Sequence, residues 1–434
     1  MIYSARIMKK LRMAIAPKIL LTALLALPIS FLTPGCGSRT PSGEKVLRVG
    51  VLGPYTGPAA RTGEEFKGSV QIAFDAIQNK IGDYKCELVW IDCQGDPQKA
   101  STAYQEAVLR HKIDSGILNW HSSVAVAIMD VAARYKVPHF FAMGAAGTVN
   151  EKYHSDSRYG YWMGKGWPIP SKLASTYVQA IEDAIQRGIW KPARKRAAIW
   201  GEDTDWGRTM GNGFRDQLQA ASWTIVAEDY FRLSETDHYP LLRKFKDSDV
   251  SLIAGTSSAP ASITALVKQA REVGLNSLII ADGLGWVGEW YTMAGDASDG
   301  VLDQIPDWVT PKAKQFAADF EKRWGLKPSP SAAGLSYDYA NFYIEIAKAA
   351  LRKYGRIDRE TLYQIGRDEV MTGRLTYSGG LVMKEYKYLP ETAPDPVVDE
   401  GHFMFPVLQY QKGHGKIIWP AVWKAAELQA PSGP

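Results

Sequence analysis

The clearest indication of the fold lies in residues 46–79, which read V-L-R-V-G-V-L-G-P-Y-T-G-P-A-A-R-T-G-E-E-F-K-G-S-V-Q-I-A-F-D-A-I-Q-N. The short, β-branched apolar run 46–52 predicts a buried strand that ends at Gly53 and Pro54. Apolar residues then recur at helical spacing, and they are Phe66, Val70, Phe74 and Ile77. Thr62 followed by Glu65 predicts a capping box at the start of that helix.

This strand, loop and helix make a place where backbone N–H groups can hold a small polar or anionic group. The same alternation continues through residues 96–143, and a second alternating series occupies residues 171–281. Strict alternation of strands and helices indicates a parallel sheet covered on both faces. We therefore predict an α/β protein of two lobes, each a mainly parallel sheet flanked by helices.

The excess positive charge of the chain lies in its N-terminal segment. Five basic residues precede Cys36 with no acid among them, and they are Arg6, Lys9, Lys10, Arg12 and Lys18. Removing them from the 51 basic residues balances the 46 acidic ones. A neutral mature chain without basic runs does not suggest nucleic acid as a partner.

Residues 1–35 have the features of a signal peptide, with a basic start and an apolar core at 19–32. Met8 is an alternative start that gives a more regular basic region. The core ends in Leu-Thr-Pro-Gly-Cys36, which resembles a bacterial lipoprotein box although its Thr and Pro depart from that pattern. We expect lipidation at Cys36 and a tether over 36–45, with plain secretion or an uncleaved anchor as alternatives.

Cys86 and Cys93 lie in one predicted strand. Seven residues of strand separate two Cα atoms by roughly 23 Å, whereas a disulfide requires less than about 7 Å. We therefore predict no disulfide between them.

Catalytic and cofactor motifs are weak in this sequence. Residues 283–288 formally match G-x-G-x-x-G, but they lie late in the chain rather than in a first βα unit. The seven histidines show no metal-ligand spacing, and the serines lack a hydrolase G-x-S-x-G context. We predict no enzyme activity, no metal and no cofactor.

Polar and aromatic residues follow several predicted strands, where ligands bind in open α/β sheets. Ser122 and Ser123 begin a helix and suit a carboxylate, or they serve only as a helix cap. Asp282 directly follows a buried strand and suits an ammonium group, or it caps an exposed turn. Trp206 is either a cleft wall or part of the core.

The chain resembles the type I periplasmic solute-binding proteins of the branched-chain, or hydrophobic, amino acid ABC uptake family. The resemblance spans residues 46 to about 423, and its matching runs are 53–60, 95–100, 203–207, 268–275 and 405–410. It implies two lobes joined by three crossovers, with a ligand cleft that closes by hinge motion. The implied boundaries are lobe 1 at 46–162 and 303–375, lobe 2 at 163–302, hinge and lobe 2 at 376–425, and a tail at 426–434.

The same resemblance assigns candidate ligand residues. Ser122 corresponds to the serine that binds the amino acid carboxylate, and Asp282 to the acid that pairs with the ammonium. Trp206 replaces an aromatic residue, usually Tyr. The other implied ligand positions are Thr62, Ser123, Gly144, Ala145, Thr256 and Ser257.

The loop at 143–145 departs from the family, which commonly has a hydroxyl residue near Ala145; Thr148 is the available substitute. This loss weakens the case for a standard branched-chain amino acid. Because Trp120, Trp206 and Trp286 are near the cleft, an amide-type or aromatic ligand is an alternative.

The resulting hypothesis is a monomeric receptor of the periplasm or cell envelope. It captures an amino acid or similar small solute and delivers it to ABC permease and ATPase subunits. A ligand sensor on the same fold is the alternative, because fold alone does not determine function.

Overall fold

The computed structural model describes residues 44–305, 308 and 310–431. The predicted signal peptide, Cys36 and most of the tether lie outside the described residues. The chain forms two mainly parallel sheets with helices packed against them, which confirms the predicted α/β class.

The first sheet has the strand order β2-β3-β1-β4-β5-β6 and is parallel except for the short β2–β3 pair. Its strands are β1 (Lys45–Gly53), β2 (Lys80–Ile81), β3 (Tyr84–Asp92), β4 (Ser115–Ile117), β5 (His139–Ala142) and β6 (Trp162–Lys165). The helices between them are α1 (Ala60–Ala76), α2 (Pro97–Leu109), α3 (Ser122–Tyr135) and α4 (Gly147–Ser155).

The second sheet has the order β15-β14-β11-β10-β9-β7-β8 and is parallel from β11 to β8. Its first strands are β7 (Arg196–Glu202), β8 (Thr224–Phe231), β9 (Leu252–Thr256), β10 (Leu278–Asp282) and β11 (Val301–Gln304). The helices of this series are α5 (Pro170–Gln186), α6 (Asp205–Ala220), α7 (Tyr239–Asp247), α8 (Pro260–Glu272) and α9 (Trp290–Ala294).

After β11 the chain returns to the first lobe. The helices there are α10 (Pro311–Trp324), α11 (Leu335–Tyr354) and α12 (Arg359–Ile365). The hydroxyl of Tyr343 in α11 is hydrogen-bonded to the hydroxyl of Ser115 in β4, with 2.6 Å between the two oxygens. The final strands are the small pair β12 (Tyr377–Ser378) and β13 (Glu385–Tyr386), then β14 (Val407–Gln411) and β15 (His414–Trp419), which complete the second sheet as antiparallel strands.

Two predicted lobe boundaries fall inside strands. Residues 163–165 belong to β6, which pairs with β5 in the first sheet. Residues 303–304 belong to β11, which pairs with β14 in the second sheet. Strand pairing therefore continues a few residues beyond both positions, because the chain crosses between lobes only after each strand has ended.

The predicted capping box at Thr62 and Glu65 is wrong. Helix α1 begins at Ala60, and its N-cap Ala59 makes no side-chain hydrogen bond. Glu65 instead accepts hydrogen bonds from the backbone and hydroxyl of Ser329, a long-range contact that local sequence cannot reveal. Helix α2, in contrast, has a local side-chain cap, because the side chain of Asp96 accepts from the backbone N–H of Lys99.

Cys86 and Cys93 are both buried, free thiols. Among the described residues, no helix is long and apolar enough to cross a membrane.

A buried ion pair connects two of the segments that pass between the lobes. The Lys165 ammonium, at the end of β6, lies 2.6 Å from a carboxylate oxygen of Asp395, and both side chains are buried. It also donates to the carbonyl of Ala145 at 2.9 Å and to Asn150 at 2.6 Å. Burial lowers the pKa of Lys165, and the charge of Asp395 opposes that shift.

We predict that Lys165→Met destabilises the protein by about 3–5 kcal/mol, because it leaves the Asp395 carboxylate buried without its cation. The free energy of unfolding in urea measures this loss. The double variant Lys165→Met/Asp395→Asn removes the uncompensated charge and should recover part of it. Equal stability of Lys165→Met and the unmodified protein would contradict a structural role for the pair.

Candidate functional site

A small cavity of about 20 Å³ lies where the two lobes meet, at the carboxyl ends of their strands. Residues from both lobes and from the segment after β6 line it, and they are Trp120, His121, Met143, Trp167, Trp206, Ser258 and Trp286. Four of these seven residues are tryptophans. The cavity is therefore walled mainly by flat, apolar indole surfaces.

Trp286 stands at the centre of the tryptophan cluster. Its ring centroid lies 5.2 Å from that of Trp120, 5.5 Å from that of Trp167 and 5.7 Å from that of Trp206. Trp286 follows β10 in the second lobe, whereas Trp120 follows β4 in the first. This cluster therefore joins the two lobes directly.

Several polar groups of this cluster are buried without a partner. The indole N–H groups of Trp120, Trp167 and Trp286 have no hydrogen-bond acceptor among the described residues, and neither ring nitrogen of His121 has a partner there. Trp206 differs, because its indole N–H donates to Thr256 at 2.9 Å. Buried donors without acceptors cost free energy, so this arrangement suits a bound molecule that supplies acceptors.

His121 immediately precedes α3 and is the N-cap of that helix. Burial lowers the pKa of His121 to about 4. The ring is therefore neutral at physiological pH, with one nitrogen that donates and one that accepts. The first-turn N–H groups of α3 add partial positive charge beside it.

The predicted residues of the first lobe lie behind this lining. The Ser122 hydroxyl accepts a hydrogen bond from the backbone of Ala146 at 3.0 Å, which ties the loop after β5 to the start of α3. Gly144 packs so tightly there that a Cβ would lie 2.9 Å from the Cα of Ser122. Ala145 is buried and its carbonyl accepts from Lys165, while Ser123 is half-buried.

Thr62 is also buried, and its hydroxyl has no partner among the described residues. It lies one turn before Phe66, whose ring contacts Trp120 at 5.9 Å. Thr62 therefore belongs to the wall around the cluster without lining the cavity itself.

Asp282 faces a buried polar network in the second lobe. One carboxyl oxygen accepts a hydrogen bond from the Tyr177 hydroxyl at 2.8 Å. Its backbone carbonyl accepts from Thr256, which in turn accepts from Trp206. Burial, and secondarily the nearby Asp303 carboxyl, raise the pKa of Asp282 well above its ordinary value.

Asp303 supports the loop that carries Trp286. Its carboxylate accepts from the backbone N–H of Gly283 at 2.9 Å and of Gly285 at 2.8 Å, and from the Tyr410 hydroxyl at 2.7 Å. These bonds hold the turn after β10 in one conformation.

Of the nine predicted ligand residues, Trp206 alone lines the cavity. Thr256 and Asp282 form the network behind Trp206, and Ser257 accepts from the backbone of Ala259 at 3.3 Å beside the lining residue Ser258. None of the lining residues is acidic. Ammonium binding at Asp282 and carboxylate binding at Ser122 stay predictions.

Sequence reasoning missed His121, Met143, Trp167 and Ser258. Three of them adjoin residues that it selected, since His121 precedes Ser122, Met143 precedes Gly144 and Ser258 follows Ser257. The signal for these was therefore present to within one residue. Trp167 lies in a crossover between lobes, where no strand end marks it.

The described residues contain no group of three or more His, Cys, Asp or Glu side chains placed to hold a metal ion.

Comparison with known proteins identifies relatives and structural neighbours. A Leu/Ile/Val-binding protein of Rhizobium johnstonii is 25% identical over 366 residues, which cover 82% of this chain and 92% of that protein. A Rhodopseudomonas palustris solute-binding protein solved with 4-hydroxybenzoate has a TM-score of 0.66 at 20% identity, covering 86% of this chain and 95% of that one. A Thermus thermophilus branched-chain amino acid ABC transporter protein with bound valine has a TM-score of 0.68 at 16% identity, covering 87% and 96%.

These structural matches show the same two-lobed type I architecture. The model of the periplasmic binding protein family matches residues 46–381, which is well over half of the chain. The chain therefore belongs to the periplasmic binding protein family, as an extracytoplasmic solute-binding protein of the ABC transporter type and not an enzyme.

Proposed function

We propose that this protein captures a small aromatic compound bearing hydrogen-bond acceptors, foremost an aromatic carboxylate, and delivers it to an ABC permease. The observation that carries this proposal is a set of three buried indole N–H donors, on tryptophans that line the inter-lobe cavity, that have no acceptor among the described residues. A carboxylate or carbonyl oxygen supplies what these donors lack.

The walls of the cavity favour a flat ligand. Four indole rings present apolar faces and edges, and aromatic rings stack or meet edge-to-face on such surfaces. The cavity volume is only about 20 Å³ in this structure, far below the roughly 300–1,000 Å³ of typical ligand pockets, so a ligand requires the lobes to move apart. A single substituted ring requires less opening of the lobes than a long flexible chain.

The electrostatics of the cavity favour an anion or a neutral acceptor over a zwitterion. The indole N–H groups and the start of α3 carry partial positive charge. No acidic side chain lines the cavity to pair with an ammonium group. Asp282, the predicted partner of an ammonium, already accepts from Tyr177, and burial favours its neutral form.

Relatives of the same architecture bind both kinds of ligand. The Rhodopseudomonas palustris protein was solved with 4-hydroxybenzoate, and the Thermus thermophilus protein with valine. The fold thus accommodates either, and the side chains in the cavity discriminate between them. Here those side chains match the aromatic acid.

Delivery to a permease completes the proposal. Its support is the kinship with ABC transporter solute-binding proteins and the signal peptide that we predict for residues 1–35. We propose that lipid attached at Cys36, which lies outside the described residues, retains the protein near its permease.

Isothermal titration with 4-hydroxybenzoate, benzoate, benzamide and leucine tests the ligand class. We expect the two carboxylates to bind more tightly than benzamide, and leucine not to bind. Tighter binding of benzamide than of both acids would identify an amide as the ligand class. Binding of leucine alone would overturn the proposal in favour of an amino acid.

Trp286→Phe keeps an aromatic ring but removes one free N–H donor. We expect a loss of affinity for 4-hydroxybenzoate of about 10- to 100-fold, because a hydrogen bond to a charged acceptor contributes about 1.5–3 kcal/mol. The matched control is Trp200→Phe, whose indole is also buried and has no partner in the described part of the chain, but lies in β7, outside the cavity lining. Equal losses in both variants would contradict the role of the Trp286 donor.

Asp282→Asn distinguishes an aromatic acid from an amino acid as the ligand, and its effect on stability should depend on pH. The folded chain keeps this proton to higher pH than the unfolded chain, so Asp282 lowers the free energy of unfolding as pH rises above about 4. The stability of Asp282→Asn relative to the unmodified protein should therefore increase between pH 4 and pH 8 in urea unfolding.

Affinity for 4-hydroxybenzoate should stay within about twofold in Asp282→Asn, because this carboxyl does not line the cavity. A large loss of affinity would place Asp282 in contact with the ligand. A stability difference independent of pH would contradict the raised pKa.

Cys36→Ala tests the proposed lipid anchor. In cells fed a labelled fatty acid, we expect the unmodified protein to carry label and fractionate with membranes, and the variant to do neither. Membrane retention of the variant without label would indicate an uncleaved signal anchor instead.

A further inference from the structure

The loop of the second lobe that carries Trp286 is inserted against the first lobe. Gly288 lies so close to the segment between α10 and α11 that a Cβ on it would approach the Lys327 carbonyl oxygen to 2.2 Å. Only a residue without a side chain permits this approach of two backbones. The contact lies two residues beyond the central indole of the cavity.

Charged groups surround this point of insertion. One terminal nitrogen of Arg61, in α1 of the first lobe, donates to both carboxylate oxygens of Glu289, at 2.7 and 2.6 Å. Glu289 also accepts from the backbone N–H of Lys327 at 2.8 Å, and Arg61 donates to the carbonyl of Lys327 at 2.8 Å. The side chain of Glu289 thus bonds two separate segments of the first lobe.

Glu65, one turn after Arg61 and fully buried, extends the same cluster. Its carboxylate accepts from the backbone N–H of Ser329 at 2.8 Å and of Ala333 at 3.0 Å, and from Gly288 of the second lobe at 3.4 Å. The nearest Arg61 nitrogen lies 3.2 Å away. Burial raises the pKa of Glu65 to about 7, and the charge of Arg61 opposes the shift.

The cluster reaches the cavity through Ser329. The Ser329 hydroxyl lies 2.7 Å from the backbone carbonyl of Trp286. The position of the Trp286 main chain therefore depends on groups of the first lobe as well as on its own β10 turn. Opening the lobes must break these hydrogen bonds and move the Trp286 indole out of the tryptophan cluster at the same time.

We propose that Arg61, Glu65, Gly288, Glu289 and Ser329 form an inter-lobe latch that holds Trp286 in place and sets how long a ligand is retained. The latch rests on the proposed function, since retention requires that the cavity between the lobes holds the ligand. Glu65 and Ser329 act here as positioning residues, because they touch the main chain around Trp286 and do not line the cavity.

The chain provides a matched control for the charged part of the latch. Arg323 of α10 pairs with Asp75, also in α1, at 2.7 Å. This pair has the same chemistry and helix as the Arg61–Glu289 pair but lies within the first lobe. A variant at Arg323 therefore removes a similar ion pair without separating the lobes.

The test compares Arg61→Met, Glu289→Gln, the double variant and the control Arg323→Met at pH 8, where Glu65 is mostly ionised. Stopped-flow tryptophan fluorescence measures the dissociation rate of 4-hydroxybenzoate. We expect the rate to rise about tenfold in each single variant, and in the double variant by less than the product of the two, because both changes remove the shared Arg61–Glu289 pair. Arg323→Met should stay within about twofold.

Small-angle X-ray scattering of the ligand-free variants tests whether the latch holds the lobes together, and it does not depend on any ligand. We expect Arg61→Met and Glu289→Gln to increase the radius of gyration relative to Arg323→Met, since the lobes separate. If scattering shows this increase but 4-hydroxybenzoate does not bind the unmodified protein, the latch stands and the proposed ligand is wrong. Unchanged scattering, or unchanged dissociation of a bound ligand, in the latch variants overturns the latch.

Gly288→Ala tests the latch without changing a charge. The added methyl group clashes with Lys327, so we expect the same faster dissociation and larger radius of gyration. Urea unfolding confirms that each variant is folded before it is compared. A Gly288→Ala protein with unmodified kinetics and scattering would contradict the close contact on which the latch depends.

Discussion

The packing of Trp286 against three other indoles is the contact on which the rest of this site depends. It joins Trp120 of one lobe, Trp206 of the other and Trp167 of a crossover in a single apolar cluster. Large aromatic surfaces removed from water provide much of the energy that holds such a contact together. The three indole N–H groups then leave a polar requirement that no other described residue satisfies.

Two sets of interactions place this indole. Within its own lobe, Asp303 accepts from the backbone of Gly283 and Gly285 and so shapes the turn after β10. From the other lobe, Ser329 and Glu65 contact the main chain at Trp286 and Gly288. The geometry of the cavity is thus tied to the relative position of the lobes, which is the property a receptor that closes on its ligand requires.

Much of the fold was predictable because it follows from local periodicity. Alternating apolar strands and amphipathic helices indicated two α/β lobes, and Asp96 capped its helix as local chemistry requires. The long-range contacts were not predictable in this way. Thr62 and Glu65 have the spacing of a capping box, yet Glu65 bonds Ser329, more than 260 residues further along the chain.

The candidate site, like the fold, has features that local sequence predicts and features that only long-range packing determines. The strand ends indicated the edge of each sheet at which the cavity lies, and they came within one residue of His121, Met143 and Ser258. Residue type alone did not show which way each side chain faces. Asp282 ends strand β10, where an ammonium partner was expected, but its carboxyl turns toward Tyr177. Only the packing of the second lobe reveals that this acid is already engaged.

If an aromatic carboxylate satisfies the free indole donors, as we propose, nuclear magnetic resonance of the indole N–H groups will detect the new hydrogen bonds. In protein labelled with ¹⁵N at its 14 tryptophans, titration with 4-hydroxybenzoate should move the Trp120, Trp167 and Trp286 signals downfield, as new hydrogen bonds form. The Trp206 and Trp200 signals should move much less. Downfield shifts with leucine, and none with 4-hydroxybenzoate, would contradict the account.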